Sequence, residues 1–422
     1  MINNTLNNQP NILCQNDLSY HICYKNTYYK MYIKNGIICK MKNIIIDPSK
    51  WKDSKFIYNG PIDKTNKDKI SPILSKGFFN IKCDNVNKIE GKVKGIYNTY
   101  LNSWDYNYNK SIENEEDLAP GKTIFFISRN HDSPNIYHGG SELINALAIM
   151  YLMNLTPEDI KIVFLESLHI NDDPYYEVYK NIISRGGEIT YIRNLNKKKY
   201  LIKSAIHIPF NLDSPCFLHH QVPHCKFATQ TYKILNIIID KYMNITEFVD
   251  SFITDNKRFY YPNSTINYYK SGQKFKKSLT ILWRKPWPEG RIGQSRIFGN
   301  GPEVAEKLSN VLPKNILIRL VDTARLDITQ QIALMKKTDY LTGIHGCAFT
   351  LSIFAPRHCI VLEFSSINYY VMQIESLSGH KFYSGHVKNI KKDINGNQVI
   401  FYDPDDFARF IYNHMNEHKF FD

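Results

Sequence analysis

The sequence lacks any run of about 18 consecutive apolar residues, the length that a helix needs to cross a membrane. Residues 1–17 are polar and contain no apolar core of the kind that secretory signals carry. Internal repeats and low-complexity tracts are also missing, which argues against a repeat architecture. We therefore expect a soluble, cytoplasmic protein with no membrane insertion.

Cysteine is sparse, with eight residues at positions 14, 23, 39, 83, 216, 225, 347 and 359. None of them forms the close pairs that are typical of zinc ribbons. They are also too few for a scaffold held together by disulfides. The spacing favours buried free thiols.

Acidic residues are outnumbered, because 40 Asp and Glu face 53 Lys and Arg, which gives a net charge of +13. Such a charge can indicate a nucleic-acid partner. The lysines, however, are spread among Asn, Ile and Tyr, as an AT-rich genome would encode them, and the run at 197–199 has only three. We expect a solvated basic surface, no nucleic-acid partner and a general attraction to anionic substrates.

What is present is a chain long enough for two or three domains, with 43% hydrophobic residues and 29 tyrosines. Residues 1–118 contain short apolar runs broken by Asn, Lys, Gly and Pro. This pattern predicts strands and loops, forming an N-terminal extension that is part of the first domain or packed on it.

Strands and helices alternate from about residue 121 onwards. In a first domain, 119–255, strands are predicted at 122–128, 159–165 and 188–192, and helices at 141–153, 174–184 and 229–243. A polar, aromatic-rich segment, 256–277, is predicted to be a linker. In a second domain, 278–402, strands are predicted at 278–284, 315–321, 339–344 and 359–364, with helices beginning near Pro302 and Asp327. Residues 403–422 form a C-terminal helix. Such alternation predicts an α/β fold with parallel sheets and helices on both faces.

The most informative segment is 339–365, which reads DYLTGIHGCAFTLSIFAPRHCIVLEFS. It predicts a strand, a glycine turn at Gly343 to Gly346, a helix and a second strand. His345 lies at the turn, and Glu363 lies near the end of the second strand. Ligands of open α/β sheets bind at the carboxyl ends of strands, where helix N-termini offer N–H groups to phosphates. The segment therefore resembles half of a nucleotide-binding site.

The order of His345, Gly346, Thr350, Phe354, Pro356, Val361 and Glu363 resembles the C-terminal signature of glycosyltransferase family 61. That family includes EGF-domain and dystroglycan O-GlcNAc transferases and plant xylosyltransferases, and the resemblance covers roughly residues 120–390. Two positions differ, since Cys347 stands for the usual alanine and Ala348 for the usual second glycine.

The resemblance implies a GT-B-like fold, with two doubly wound Rossmann-type domains facing a cleft. It implies an inverting, metal-independent glycosyltransferase that moves a sugar from a nucleotide sugar, UDP-GlcNAc or a UDP-pentose, to a hydroxyl of a glycan or protein. No cofactor other than this donor is expected. His345 and Gly346 would face the diphosphate, Thr350 would add a hydroxyl donor, and Glu363 would bind the ribose hydroxyls.

A second group of candidates lies at 135–142, where Asn135, His138 and Glu142 follow a predicted strand. Family 61 members are similar here, with Glu142 in place of their Asp. If a helix begins by His138, that residue and Glu142 share one face. A carboxylate beside an imidazole suits the base that takes the acceptor's proton. Which of the two is the base stays open, and the alternative is an ordinary helix start with a surface His–Glu pair.

A basic loop after the first strand of the second domain contains Trp283, Arg284, Lys285 and Trp287, followed by Arg296 and Asn300. Departure of a diphosphate builds negative charge that guanidinium groups can stabilise. We expect Arg284 first and Arg296 second to contact it, and the resemblance adds Asn300. The alternative is an exposed loop with scattered charge.

Two further alternatives concern metal binding and catalysis. Asp403, Asp405 and Asp406 superficially resemble the Asp-x-Asp manganese site of other transferases, but they precede a helical stretch and are better explained as its N-cap. We predict no metal site.

The rival function is that of a non-catalytic relative that binds a nucleotide sugar or glycan. This alternative stays open because Glu142 and Ala348 differ from the residues that the family usually carries.

Overall fold

The computed structural model describes residues 11–15, 19–25, 37–52, 73–83, 86, 100, 102–108, 115–127, 139–140, 142–143, 146–147, 149–150, 153–165, 175–185, 189–208, 236, 239–240, 259–285, 296–365, 380–386, 390–392 and 398–422. The chain divides into two compact units, Met1–Tyr242 and Met243–Asp422. Both units are mixed α and β, as the alternation predicted.

The first unit is built mainly from strands. They are β1 (Asn11–Gln15), β2 (Tyr20–Lys25), β3 (Ile37–Ile46), β4 (Trp51–Lys52), β5 (Ile73–Leu74), β6 (Phe79–Asn80), β7 (Trp104–Asp105), β8 (Glu116–Asp117), β9 (Thr123–Ile127), β10 (Ile160–Phe164), β11 (Ile189–Tyr191) and β12 (Tyr200–Ile208). Short 3₁₀-helices span Pro48–Lys50, Pro157–Asp159 and Ile192–Asn194. The α-turn α1 (Tyr176–Val178) continues into a π-helix, Tyr179–Ile183.

The main sheet of this unit is mixed rather than parallel throughout. Its order among the described residues is β1-β2-β3-β12-β9-β10-β11. The strands β12, β9, β10 and β11 are parallel, as expected of alternating strands and helices. In contrast, β1, β2 and β3 run antiparallel and join β12 antiparallel. The described strands β1, β2 and β3 therefore belong to the first unit's own sheet.

The core of the first unit contains a disulfide. Cys14 and Cys83 are bonded, with their Cα atoms 5.7 Å apart, and both are buried. The expectation of free buried thiols is therefore wrong for this pair, and also for Cys39, which is disulfide-bonded. It is right for Cys359, which is buried, whereas Cys347 is exposed.

The predicted helices of the first unit are visible only in part. Described residues from Gly139 to Met150 are helical, and a turn at 153–154 with positive φ at Asn154 follows them. The helix predicted at 174–184 is present as α1 and its π-helical continuation. Of the helix predicted at 229–243, the described residues Asn236, Ile239 and Asp240 are helical.

The second unit contains β13 (Phe259–Tyr260), β14 (Lys277–Leu282), β15 (Arg296–Phe298), β16 (Ile316–Val321), β17 (Tyr340–Ile344), β18 (Ile360–Ser365), β19 (Lys381–His386), β20 (Ile390–Lys392) and β21 (Gln398–Ile400). Its helices are α2 (Asn263–Lys270), α3 (Gly301–Val311), α4 (Ile328–Lys336) and α5 (Pro404–Glu417), with 3₁₀-helices at Thr323–Arg325 and Cys347–Phe354. The strands predicted in this unit are all present, within two residues of the predicted bounds.

The main sheet of the second unit has a topological switch point. Its order is β13-β16-β14-β17-β18-β19, and all neighbours from β16 to β19 are parallel. The chain moves from β14 to β16 on one side and then returns to β17 on the other. In open α/β sheets the crevice at such a reversal, outside the carboxyl ends of the strands, is where ligands bind. The carboxyl ends of β14 and β17 are therefore the place to look for a site.

Local sequence explains why the helices of this unit begin where they do. Asp327 Oδ1 accepts from the backbone N–H of Gln330 at 2.8 Å, and Gln330 Oε1 accepts from Asp327 N–H at 3.2 Å. This is the predicted capping box, which satisfies two otherwise unpaired N–H groups of α4. Asp403 caps α5 in the predicted way by accepting from Asp406 N–H at 2.9 Å.

The segment 256–277, predicted to be a linker, contains β13 and α2. Tyr260 donates to Glu306 on α3 at 2.6 Å, and β13 pairs with β16. The segment is therefore part of the second unit's fold. Its periodicity was weak because α2 buries only Thr265 and keeps a mostly polar, half-exposed surface.

One buried cation holds the sheet to a helix. Arg319 on β16 is only 1% exposed and donates to Thr280 Oγ1 on β14 at 2.9 Å. It also donates to the carbonyls of Leu334 and Lys337, at the C-terminal end of α4, at 3.3 and 2.6 Å. Burial lowers the pKa of Arg319, and these acceptors, at the negative end of the helix dipole, compensate the charge.

Candidate functional site

His345 occupies the switch point, directly after β17. Its backbone N–H donates to Phe364 O at 2.9 Å, which ties the turn to the neighbouring strand β18. The residue is largely buried, with 9% of its side chain exposed. The predicted strand, glycine turn, helix and strand are all present around it, except that the helix is a 3₁₀-helix, Cys347–Phe354.

Glu363 lies on β18 and joins His345 through its side chain. The Nδ1 atom of His345 and the Oε1 atom of Glu363 are 2.6 Å apart, and the carboxylate side chain is 1% exposed. Burial raises the pKa of Glu363, whereas His345, the backbone N–H of Gly346 and Arg296 act in the opposite direction. The sequence placed both residues at the site, but gave no signal that they contact each other.

Two arginines converge on the backbone of His345. Arg284, two residues beyond β14, donates from Nη1 to His345 O at 2.8 Å. Arg296, the first residue of β15, donates from Nη1 to the same carbonyl at 3.3 Å. Because a guanidinium carries five N–H donors in a fixed fork, each side chain can bind an anion while it holds this carbonyl. The predicted contact of Arg284 first and Arg296 second with the diphosphate stays a prediction.

Glycine allows close approaches at two positions of the turn. Gly343 has φ +151°, and an added Cβ would lie 2.9 Å from Leu282 Cβ on β14. A Cβ on Gly346 would collide with the Arg284 guanidinium. The two glycines thus let β17 approach β14 and let Arg284 reach the His345 carbonyl.

The remaining residues of the turn differ in exposure. Ala348, at the position of the family's second glycine, lies inside the 3₁₀-helix, so its added Cβ causes no left-handed backbone strain. Cys347 carries an exposed thiol one residue after Gly346. Thr350 is 1% exposed, and its Oγ1 has no hydrogen-bond partner among the described residues. The hydroxyl is therefore beneath the turn rather than on its open side.

Asn300 and Trp283 make contacts within the second unit. Asn300 donates from Nδ2 to Tyr402 O at 2.6 Å and accepts from Tyr402 N–H at 3.2 Å. This reciprocal pair links the start of α3 to the segment after β21. Trp283 packs partly on the core, and Lys285 Nζ lies 3.6 Å from its ring centroid. Asn300 thus has a structural role in the second unit. The nucleotide-binding role predicted for it stays a prediction.

The candidates of the first unit are only partly described. Glu142 is helical and 1% exposed. A buried carboxylate on a helix is consistent with a catalytic base. It is inconsistent with the alternative, in which Glu142 belongs to a His–Glu pair on the surface. His138 and Asn135, with Trp287, lie outside the described residues.

Potential metal ligands do not gather in the described ranges, where no group of three or more His, Cys, Asp or Glu residues is placed to hold an ion. The predicted N-cap role of Asp403 is confirmed. His414 on α5 and His418, the C-cap of α5, are four residues apart, a spacing that can bind metals. Each uses Nδ1 in a hydrogen bond with a tyrosine, Tyr340 at 2.8 Å and Tyr383 at 3.0 Å.

Taken together, a parallel sheet with cationic side chains at its switch point is typical of α/β proteins that bind nucleotides. A family model for glycosyltransferase 61 matches residues 52–362, well over half of the chain. The chain belongs to glycosyltransferase family 61. The match begins within the N-terminal 118 residues, earlier than the resemblance in the sequence had reached. A search of curated proteins finds no match.

Family membership supports a glycosyltransferase, and hence a nucleotide-sugar donor and a glycan acceptor as partners. In the part of the chain that the structure describes, no helix combines the length and the apolar character needed to cross a membrane.

Proposed function

We propose that the protein is an inverting, metal-independent glycosyltransferase that takes its sugar from a UDP-sugar, UDP-GlcNAc or a UDP-pentose. The acceptor is a hydroxyl of a glycan or protein. The GT-B arrangement and a cytoplasmic location, both expected from the sequence, belong to this proposal. The single observation that supports it most is the cluster of Arg284, Arg296, His345 and Gly346 at the carboxyl ends of β14 and β17.

The cluster suits a diphosphate for electrostatic reasons. Arg284 and Arg296 both reach the His345 carbonyl, which brings two positive charges to one end of the sheet. Charge-assisted hydrogen bonds from guanidinium groups are strong and often bidentate to phosphate. In other transferases a divalent cation stabilises the departing diphosphate. In this proposal the two guanidinium groups have that role.

The reaction that follows from this proposal is a single displacement. The acceptor oxygen attacks the anomeric carbon and forms a new C–O bond as the bond to the diphosphate breaks. The electron pair of the broken bond passes to the terminal phosphate oxygen. The acceptor's proton passes to a base, for which His138 and Glu142 are the candidates, with Asn135 as a further donor-site residue. Thr350, whose hydroxyl lies beneath the turn, and Glu363, which contacts His345, support the proposed nucleotide-sugar site from within the fold.

The experiment is donor turnover in EDTA. The protein is incubated with UDP-GlcNAc or UDP-xylose, and NMR follows the sugar released by slow hydrolysis without acceptor. Release of the sugar first as the β anomer, lost in Glu142→Gln or His138→Asn, supports the proposal and identifies the base. Turnover that requires a divalent cation would contradict metal independence. Tight binding with no turnover, even with added acceptors, would instead favour the non-catalytic relative.

A further inference from the structure

The carboxylate of Glu363 is oriented towards His345 rather than towards solvent. Glu363 is 0% exposed, and its Oε1 is 2.6 Å from His345 Nδ1. A carboxylate that grips two vicinal ribose hydroxyls must present both oxygens at the surface of the site. The observed geometry instead uses one oxygen for the imidazole, whose side chain is 9% exposed while that of Glu363 is 1% exposed.

The contact fixes the position of one proton. Only one proton can lie between Nδ1 and Oε1, and an ionised carboxylate has no proton to donate. With Glu363 ionised, Nδ1 therefore donates to Oε1. The second ring nitrogen, Nε2, is on the far side of the imidazole and is directed away from the carboxylate.

The backbone of His345 is held as firmly as its ring. Its carbonyl accepts from Arg284 and Arg296, and its N–H donates to Phe364. The imidazole therefore has little freedom except rotation about its own side-chain bonds. The Glu363 contact removes that rotation, so the site has a ring with fixed orientation and a fixed Nδ1–H.

We propose, resting on the proposed function above, that Glu363 is a positioning residue that holds His345 so that Nε2 acts on the donor's diphosphate. In its charged form the imidazole carries N–H on both nitrogens. Nδ1–H stays bonded to the carboxylate, and Nε2–H donates to the phosphate oxygen that receives the electron pair as the anomeric bond breaks. The carboxylate stabilises this imidazolium, as an acid paired with a catalytic histidine does.

The positioning part is tested without any ligand by ¹⁵N NMR of histidine-labelled protein at about pH 9, where an ordinary imidazole is neutral. His345→Asn identifies the His345 signals. The wild type should show the tautomer with the proton on Nδ1. Glu363→Gln, which keeps the shape of the side chain, should shift the equilibrium towards Nε2–H, and Glu363→Asp should restore part of the Nδ1–H form. A wild-type ring protonated on Nε2, or a tautomer unaffected by Glu363→Gln, would overturn the proposal.

The functional part is tested by comparing UDP with 2′-deoxy-UDP in binding, and kcat with KM in turnover. If Glu363 acts through His345, Glu363→Gln should lower kcat by about 10²-fold, the typical scale of a proton-transfer or charge-stabilising group. Donor KM and the preference for UDP over 2′-deoxy-UDP should stay within about threefold of the wild type. Loss of that preference in Glu363→Gln would mean that the carboxylate binds ribose, and would overturn the proposal.

Failure of this proposal is distinguishable from failure of the proposed function. If the wild type binds neither UDP nor any UDP-sugar, the proposed donor falls and the catalytic role of His345 falls with it. The tautomer measurement then still decides whether Glu363 positions His345. If the wild type turns over a UDP-sugar while His345→Asn and Glu363→Gln retain its full kcat, only the inference about the pair is wrong.

Discussion

The guanidinium of Arg284 occupies the space beside the Cα atom of Gly346, where any larger residue would place its Cβ. From that position Arg284 donates to the carbonyl of His345 at 2.8 Å. The glycine that precedes the 3₁₀-helix is therefore needed for packing against a side chain, since its φ of −179° is extended backbone that any residue adopts.

Gly346→Ala should displace Arg284 and weaken donor binding at least about tenfold, because a hydrogen bond to a charged group contributes about 1.5–3 kcal/mol. The measurement is the Kd for UDP, with thermal unfolding as a check on the fold. Ala348→Gly is the matched control, because it changes a nearby residue of the same turn without adding an atom. Equal Kd values for Gly346→Ala and the wild type would show that Arg284 does not contribute to this site.

The exposed thiol of Cys347 offers a chemical probe of the same turn. Cys347 is one residue from Gly346, whereas Cys359 is buried and should not react in the folded protein. Burial raises the pKa of Cys359, which further reduces its reactivity because the thiolate is the nucleophile. Saturating UDP should slow the alkylation of Cys347 by N-ethylmaleimide. Peptide mass spectrometry measures the rate of this alkylation.

Cys347→Ala, which introduces the residue that the family usually carries, is the control for this labelling. It should remove the modification and retain turnover, because no step of the reaction uses the thiol. Labelling of Cys347 at the same rate with and without UDP would place the nucleotide elsewhere.

The disulfide between Cys14 and Cys83 closes a long loop of the first unit, since the two residues are 69 positions apart. Its reduction should lower the free energy of unfolding of the first unit by about 2–4 kcal/mol, the usual range for such a bond. Urea unfolding with and without a reductant measures this, and the Cys14→Ser/Cys83→Ser double variant should respond less to the reductant, with only the disulfide of Cys39 left to reduce.

Peptide mapping under non-reducing conditions decides whether the bond forms in the cell. Disulfides are typical of oxidising compartments and rare in the cytosol. A Cys14–Cys83 peptide recovered from protein trapped with an alkylating agent would argue against the proposed cytoplasmic location. Two alkylated cysteines would support that location, and would show that the pair is reduced in the cell.

Acid sensitivity is expected from His414 on α5. Burial is the largest cause that lowers its pKa to about 4, with His418 acting in the same direction and Glu417 against it. The folded form therefore disfavours the proton that the unfolded chain binds below about pH 6.5. The contribution of His414 to stability is fully present above that pH and is lost as the pH falls from about 6.5 to about 4.

His414→Gln should therefore reduce the loss of stability between about pH 7.5 and pH 4.5 by about 2 kcal/mol, after allowance for partial exposure. Hydrogen exchange of the amides of α5, followed by mass spectrometry, measures this locally. His358→Gln is the control, because His358 is a largely exposed residue paired with Asp339. The same pH dependence in His414→Gln and the wild type would contradict the assignment.

Much of the second unit could be predicted because its strands are buried on both faces. β14, β16, β17 and β18 read as short apolar runs between turn residues, which is the pattern of covered parallel strands. The aromatic-rich segment around β13 and α2 could not be recognised, since neither element has a clear apolar period. Strands were expected within residues 1–118, but short, interrupted runs do not reveal that β1, β2 and β3 pair antiparallel.

The residues of the site could be predicted, but not their contacts. Arg284, Arg296, His345 and Glu363 follow from their places at strand ends and from the family signature. The bond from Arg284 to a backbone carbonyl 61 residues away depends on how β14 and β17 align, which no local pattern encodes. The same holds for Cys14 and Cys83, whose pairing depends on the fold of the N-terminal strands.

The most direct test of the central claim is the binding of UDP in EDTA, measured by calorimetry for the wild type, Arg284→Ala, Arg296→Ala and the double variant. The wild type should bind UDP without metal, and each substitution should weaken binding at least about tenfold. The two losses should not be additive, because both side chains hold the same carbonyl. Metal-free binding that is unchanged in Arg284→Ala, or no binding at all in the wild type, would contradict a nucleotide-sugar site at the ends of β14 and β17.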